Sequence, residues 1–270
     1  MIVVVLMRLW LDADKSLEEN AETFFVRSKK AKKKSKGAAS AVERISTTKI
    51  KKKEPKTNTG IRRKKEYWYM NYRWFFIDDN TLVIGGRDAN TNEEIIKRRT
   101  EPYDIVFHAE MPGSPFFVIK GSKGRVFSDD EKQFVANATA SYSRAWKYGV
   151  SFIDIFCVAP NQVSKKARAG EYLSKGSFMI RGNKEFYKGI LLLYGSIISI
   201  DSSSYIMITP HERDDSFVRI MPGNMKPSDA AKSILNNLDS QLYINADEII
   251  SCLPSGNVVL EFLNKRGAGS

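Results

Sequence analysis

Residues 161–188 read NQVSKKARAGEYLSKGSFMIRGNKEFYK, a stretch whose residue types suit the holding of a polyanion. Seven cations (Lys165, Lys166, Arg168, Lys175, Arg181, Lys184, Lys188) stand there against two carboxylates, Glu171 and Glu185. Gly170, Gly176 and Gly182 punctuate the stretch, and glycine lets a backbone approach a phosphate closely. Gln162, Ser164, Ser177 and Tyr172 add groups that hydrogen-bond or stack in RNA recognition. The spacing is not that of a Walker loop, which needs two glycines separated by four residues and followed by Lys and Ser or Thr. A charged hairpin loop without a ligand is the competing reading.

A second stretch, LVIGGRDANTNEEIIKRR at residues 82–99, sets Arg87 and Asp88 directly after a doubled glycine. Three roles fit it: a phosphate cradle, a catalytic Arg/Asp pair, or the bend between a strand and a helix. General acid–base work would need a partner with a perturbed environment, and the available ones are His108 and Glu110 in DIVFHAE. A nucleic-acid-processing enzyme using Asp88, His108 and Glu110 is therefore one alternative. Ser164 has no nucleophile elbow around it. Cys157 and Cys252 lie far apart in apolar runs, with His108 and His211 as the only histidines, so zinc-ligand spacing is absent and both thiols are expected buried and reduced. No cofactor or metal is expected.

The elements that must position these residues follow from periodicity and punctuation. Trp68, Tyr69, Tyr72, Phe75 and Phe76 have roughly helical spacing and read as core. WFFIDDNTLVIGG reads as two short strands joined by Asp78-Asp79-Asn80. Asn90-Thr91-Asn92-Glu93 predicts a helix start, with the helix running to about Arg99. DIVFHAEMPGSPFFVIKG holds two strands around Pro112-Gly113-Ser114. A second helix has Ser128 as cap, Glu131 completing a capping box and Gly149 past its end, burying Phe134, Ala138, Tyr142 and Ala145 or Trp146. VSFIDIFCVAP, GILLLYGSIISID, SYIMITPHE, SFVRIMPG and NVVLEFL read as strands, and PSDAAKSILNNL as a helix from Ser228 or Asp229. The mixture lacks strict βα alternation, which predicts an α+β fold with a mixed or mainly antiparallel sheet and packed helices.

The formal charge is +12, and nearly all of it lies before residue 67: 19 Lys/Arg against 8 Asp/Glu there, 24 against 23 afterwards. A cationic arm on a near-neutral body points to a polyanion such as RNA; a merely solvated helix is the plain alternative. MIVVVLMRLWLDAD reads as a short strand, followed by a helix capped by Asp12 or Asp14 with Leu17, Ala21, Phe24, Phe25 and Ser28 on one side. The charged run beyond it fits a basic helical hairpin arm that turns at Pro55 and Gly60. A protein-interaction scaffold acting through this arm is a third reading. No run approaches the roughly 18–20 apolar residues of a membrane span. The expected divisions are 1–61 for strand and coiled-coil-like arm, 62–190 for the main domain and 191–270 for a β-rich extension with one or two helices.

YWYMNYRWFFIDDNTLVIGGRDANTNEEIIKR, DIVFHAE and above all the ordered QVSK, GEYL and GSFMIRG elements resemble the NFACT-R domain, the RNA-binding C-terminal module of the NFACT family. That family includes fibronectin-binding-protein-A-like bacterial proteins and the ribosome quality control factors RqcH and NEMF. The resemblance covers about residues 62–188, and the basic arm resembles the coiled coil that precedes the module. It implies RNA contact (tRNA or large-subunit rRNA), association with the large ribosomal subunit, a cytoplasmic setting and no membrane. Carried onto this sequence, it implies phosphate contact by Arg87, Lys165, Lys166, Arg181 and Lys184, and shape reading or stacking by Gln162, Ser164 and Tyr172. Asp88, Lys97, Arg98 and His108 complete the expected RNA-facing set.

Departures from the family pattern are local. His108-Ala109-Glu110 stands where His-Ala-Asp is usual, Pro112 where a glycine-preceding His is usual, Pro160-Asn161 where His-His often precedes QVSK, and Arg168 where proline is common. The methionine start falls where the NFACT-N and helix-hairpin-helix regions would have ended. A stand-alone module is therefore expected, with a separate chain supplying the NFACT-N function.

Overall fold

Phe75 and Phe76 meet Val83 and Leu82 across a tight polar turn, because Asp78 Oδ1 accepts hydrogen bonds from the backbone N–H groups of Asn80 (2.8 Å) and Thr81 (2.6 Å). Such an Asx-type turn substitutes a side-chain acceptor for a backbone one. The resulting hairpin, β1 (Arg73–Phe76) and β2 (Leu82–Gly85), starts a six-stranded sheet. Its order is β1-β2-β4-β3-β5-β8, with β3 Ile105–Ala109, β4 Phe117–Ile119, β5 Phe152–Val158 and β8 Glu185–Ile190. Every pairing in it is antiparallel. These details come from a computed structural model that describes residues 16, 20, 24, 25, 28, 66–111, 113–165, 173 and 175–263.

One face of this sheet is covered by α2 (Asp129–Ser141), which packs on β8, β5, β3 and β4. Its start is as the sequence predicts: Ser128 Oγ accepts from Glu131 N, and Glu131 Oε2 from Ser128 N, a closed capping box. Three carboxylates in its first turn favour the same end through the helix dipole. The helix comes close enough to β8 that a Cβ on Gly189 would lie 2.7 Å from the Ala136 carbonyl oxygen. It stops at Tyr142; a further turn, α3 (Ala145–Tyr148), ends at Gly149 in the left-handed conformation, φ 61°.

The second sheet has the order β10-β9-β11-β12: β9 Leu193–Ile200, β10 Ser203–Thr209, β11 Ser216–Met225 and β12 Val258–Phe262. Two helices pack against it, α4 (Pro227–Asn236) and α5 (Ala246–Cys252). The sheets meet where β1 packs on β10, and their buried residues form one apolar cluster. Ile84, Phe107, Phe117, Ile119 and Ile220 are fully buried in it. Each such side chain contributes about 2 kcal/mol by burial, so Phe117→Ala should cost ~3–5 kcal/mol once its cavity is included. The α+β class with antiparallel sheets is therefore correct.

Some local expectations are revised. Trp68–Asn71 is a 3-10 turn leading into β1, so the aromatic run is not one helix face: Tyr69, Tyr72, Trp74 and Phe75 are buried while Trp68 is 43% exposed. The helix expected from Asn90 starts one residue earlier, as α1 (Ala89–Glu94), and continues as a wider π turn over Ile95–Arg99. Both cysteines are free thiols, Cys157 buried and Cys252 half-buried. The chain falls into two units, Met1–Arg62 and Arg63–Ser270. In the first, Asn20, Phe24, Phe25 and Ser28 are helical, with Phe25 exposed and Asn20 buried, while Leu17 and Ala21 of the expected apolar side lie outside the described residues. The strand expected at residues 1–10 and the turn at Pro55–Gly60 lie outside the described residues.

Candidate nucleic-acid interface

Two walls, each built from one of the stretches singled out in the sequence, enclose a cavity of about 560 Å³. The first wall is the turn from β2 into α1. Its glycines answer to packing: a Cβ on Gly85 would lie 2.3 Å from the Phe117 ring, and one on Gly86 would lie 1.8 Å from Asn92 Oδ1. That oxygen is already the acceptor for the buried Phe116 N–H at 3.1 Å. Asp88 is the N-cap of α1, accepting from Thr91 N (2.8 Å) in a capping box closed by the Thr91 hydroxyl. The Thr91 N–H holds the Asp88 carboxyl below its ordinary pKa. Arg87 Nη2 donates to the Met70 and Tyr72 carbonyls at 3.2 and 3.0 Å, tying the turn to the entry of β1.

The second wall is a ribbon of two short strands, β6 (Val163–Ser164) and β7 (Met179–Ile180), with residues 175–178 of the connection facing the first wall. Gly176 is left-handed (φ +79°), and a Cβ there would lie 2.8 Å from Ala89 Cα, so only glycine suits the contact. Glu93 clasps the walls together: its carboxylate accepts from Lys97 (2.6 Å), Gly176 N (3.1 Å) and Lys165 (3.3 Å). These bonds, that from Lys97 foremost, bring its pKa down to about 2. Lys165 also donates to the Ser177 carbonyl and lies 4.8 Å over the Phe178 ring.

Arg73, Tyr142, Ser255 and the run from Ser114 to Phe116 line the rest. Arg73 lies over the Tyr142 ring at 4.2 Å and donates to the Leu253 carbonyl at 3.3 Å. His108 Nδ1 donates to the Pro115 carbonyl at 2.9 Å, which leaves Nε2 as an acceptor. Its ring stacks on Phe116 (4.0 Å, 6°), and burial above all lowers its pKa, keeping it neutral near pH 7.

The expected RNA-facing residues thus separate. Arg87, Asp88 and His108 do line one cavity. Lys97 and Lys165 are tied to Glu93, and Lys184 to Glu110 while lying 4.3 Å over Phe156. Gln162 braces the ribbon: Oε1 accepts from Ala159 N, and Nε2 donates to the Arg181 and Asn183 carbonyls. Ser164 is half-buried in β6; Arg98 and Arg181 are exposed and form no ion pair among the described residues. Lys166 and Tyr172 lie outside the described residues. Of the three residues of the catalytic alternative, Asp88 and His108 line the cavity, whereas Glu110 is paired with Lys184 and is not among the described lining residues.

Arg73 and Ser114 were missed, and Lys175 was counted in the basic loop without being singled out. The available signal for Arg73 was a lone cation inside the aromatic strand NYRWFF. Arg73, Arg87 and Lys175 share the cavity and form no ion pair among the described residues, and Asp88 is the only carboxylate among the described residues of its lining.

Residues 71–182 match the family described as the NFACT protein RNA binding domain. The archaeal Rqc2 homolog aRqcH of Methanocaldococcus jannaschii is 38% identical over 199 residues, covering 72% of this chain and 29% of that protein. The human ribosome quality control complex subunit NEMF is 37% identical over 182 residues, 65% of this chain and 17% of its own. The chain thus spans less than a third of the length of these relatives. The C-terminal structure of the fibronectin/fibrinogen-binding protein from Streptococcus suis aligns over 47% of each chain at 19% identity and a TM-score of 0.38, too loose to carry an argument. Residues 71–182 are an NFACT RNA-binding domain, in a chain whose relatives are ribosome quality control factors.

Proposed function

We propose that this chain binds tRNA or large-subunit rRNA in the cytoplasm as part of ribosome quality control, with the two-walled cavity and its ribbon as the contact surface. The observation that carries the reading is the convergence of Arg73, Arg87 and Lys175 on one cavity with no ion pair among the described residues, beside the exposed Arg181 of the ribbon. Cations already neutralised by protein carboxylates release little from a phosphate backbone, whereas unpaired ones bind it with a steep salt dependence. Arg87, Lys175 and Arg181 therefore take the phosphate contacts, and Asp88 holds the turn that presents Arg87. The basic residues before position 67 add non-specific attraction.

The test is a salt titration of the full chain against tRNA and large-subunit rRNA fragments. Replacing Arg87, Lys175 and Arg181 together by Gln or Ala should flatten the slope of log K against log salt by about two to three units, one per phosphate contact. An unchanged slope and affinity would sink the reading.

A further inference from the structure

We propose that the cavity between the two walls is a seat for a phosphomonoester, and so for a single phosphate-bearing terminal nucleotide of RNA. The inference rests on the RNA-binding reading of the same surface and names the ligand class of the cavity within it.

Charge is the first argument. Among the described residues, the lining holds three cations against one carboxylate, an excess of two positive charges, with His108 neutral. An internal phosphodiester or a carboxylate carries one negative charge; a phosphomonoester carries about −1.5 to −2 at pH 7, with three strong acceptor oxygens. The dianion is the better match. Unmet hydrogen bonding is the second argument. Arg73 Nε and Ser114 Oγ are buried without a hydrogen-bond partner, and Ser114 is only 3% exposed. Buried polar groups are nearly always satisfied in folded proteins, and these two belong to the lining of one cavity, so a ligand's acceptor oxygens there would satisfy both. Arg73 lies deep enough that burial, with the Arg87 charge adding to it, depresses its pKa.

Size is the third argument. A cavity of about 560 Å³ falls within the roughly 300–1,000 Å³ of small-molecule sites and exceeds what a bare phosphate needs. Phe116 and Phe178 supply an apolar flank edge to face at 5.4 Å, and His108 adds an acceptor for a hydroxyl or a base N–H. A phosphate held on the cations with its nucleoside along this flank uses both halves of the lining.

The source of the phosphomonoester is either an RNA end or a free mononucleotide, and the experiment separates them. Calorimetry on the full chain would compare short RNA oligonucleotides ending in 5′-phosphate, 3′-phosphate or hydroxyl only, together with AMP, UMP and their nucleosides. The expected result is a preference of about tenfold or more for one phosphorylated end over the hydroxyl oligonucleotide, weakening between pH 7 and 5 as the second phosphate ionisation is lost. Lys175→Ala, at an exposed position that leaves folding intact, should erase most of that preference, and Ser114→Ala part of it. Oligonucleotides that bind equally well with and without a terminal phosphate, with no mononucleotide signal, would overturn the proposal while leaving the RNA-binding reading standing. Mononucleotide binding without oligonucleotide binding would uphold the seat and overturn the RNA reading.

Discussion

The two sheets of this protein are both antiparallel, share one buried cluster and both carry ion-paired cations, Lys120 with Asp104 and Lys188 with Asp154 on the first, yet among the described residues only beside the first do cations also gather at a cavity. In the second sheet Arg219 pairs with Glu261 (2.9 Å) and Glu212 (3.7 Å), and Arg213 with Asp215 (3.0 Å). Beside the first sheet, Arg73, Arg87 and Lys175 gather at one cavity and form no ion pair among the described residues. Surface ion pairs contribute only about 0–1 kcal/mol. The difference therefore says little about stability and much about which charges remain available to a ligand.

The largest effect that would break this comparison is on RNA affinity. Arg73→Gln, Arg87→Gln and Lys175→Ala combined should weaken binding about 100-fold in low salt, close to 3 kcal/mol. Neutralising Arg213 and Arg219 together should change it less than about twofold; equal losses from both sets, measured by filter binding, would erase the distinction. Gly86→Ala comes next. Its Cβ must displace Asn92 Oδ1 from the Phe116 N–H, and a denaturant midpoint reporting ~2–3 kcal/mol of destabilisation is expected from overpacking with a lost buried hydrogen bond. A neutral substitution would show that the first wall tolerates rearrangement.

Acid sharpens the contrast in the other direction, through the second sheet. His211 stacks on Phe134 of α2 at 4.4 Å, and burial with the nearby Arg213 charge lowers its pKa to about 4. A depressed folded pKa means that the unfolded chain takes the proton first. The stability His211 contributes is present above about pH 6.5 and is lost as pH falls towards 4, on the order of 1–2 kcal/mol for this partly exposed ring. Urea titrations at pH 7 and pH 5 should show the loss, and His211→Gln should flatten it. Asp88→Ala is the smallest change: removal of the α1 cap should cost about 1 kcal/mol. RNA binding should fall only as far as Arg87 loses its position; abolition of binding with Arg87 intact would give Asp88 a direct role.

Much of the fold is legible in the sequence where local chemistry is self-contained. The Ser128–Glu131 box, the Asp78 turn and the apolar strands need only near neighbours, and each appears where punctuation places it. Trp68–Phe76 misleads because aromatic residues satisfy helical and strand periods alike over so short a run, and β1 is decided by pairing with β2. The helix start slipped by one residue for a related reason: Asp88 was weighed as a chemical partner of Arg87, whereas its carboxylate is committed to the Thr91 N–H.

By itself the sequence determined the α+β class, the residues of both walls and the RNA-binding domain, because each rests on short patterns and their order; it left the sheet mixed or mainly antiparallel. Only the tertiary structure decided which cations remain unpaired. Glu93 lies 72 residues from Lys165 and Glu110 lies 74 from Lys184, so local charge counting could not see that these lysines are neutralised. Nor could it see that Arg73, from an aromatic strand, joins Arg87 and Lys175 in one cavity. Whether a charge is free or neutralised is a property of distances of a few ångströms in the folded chain, and no spacing along the sequence encodes it.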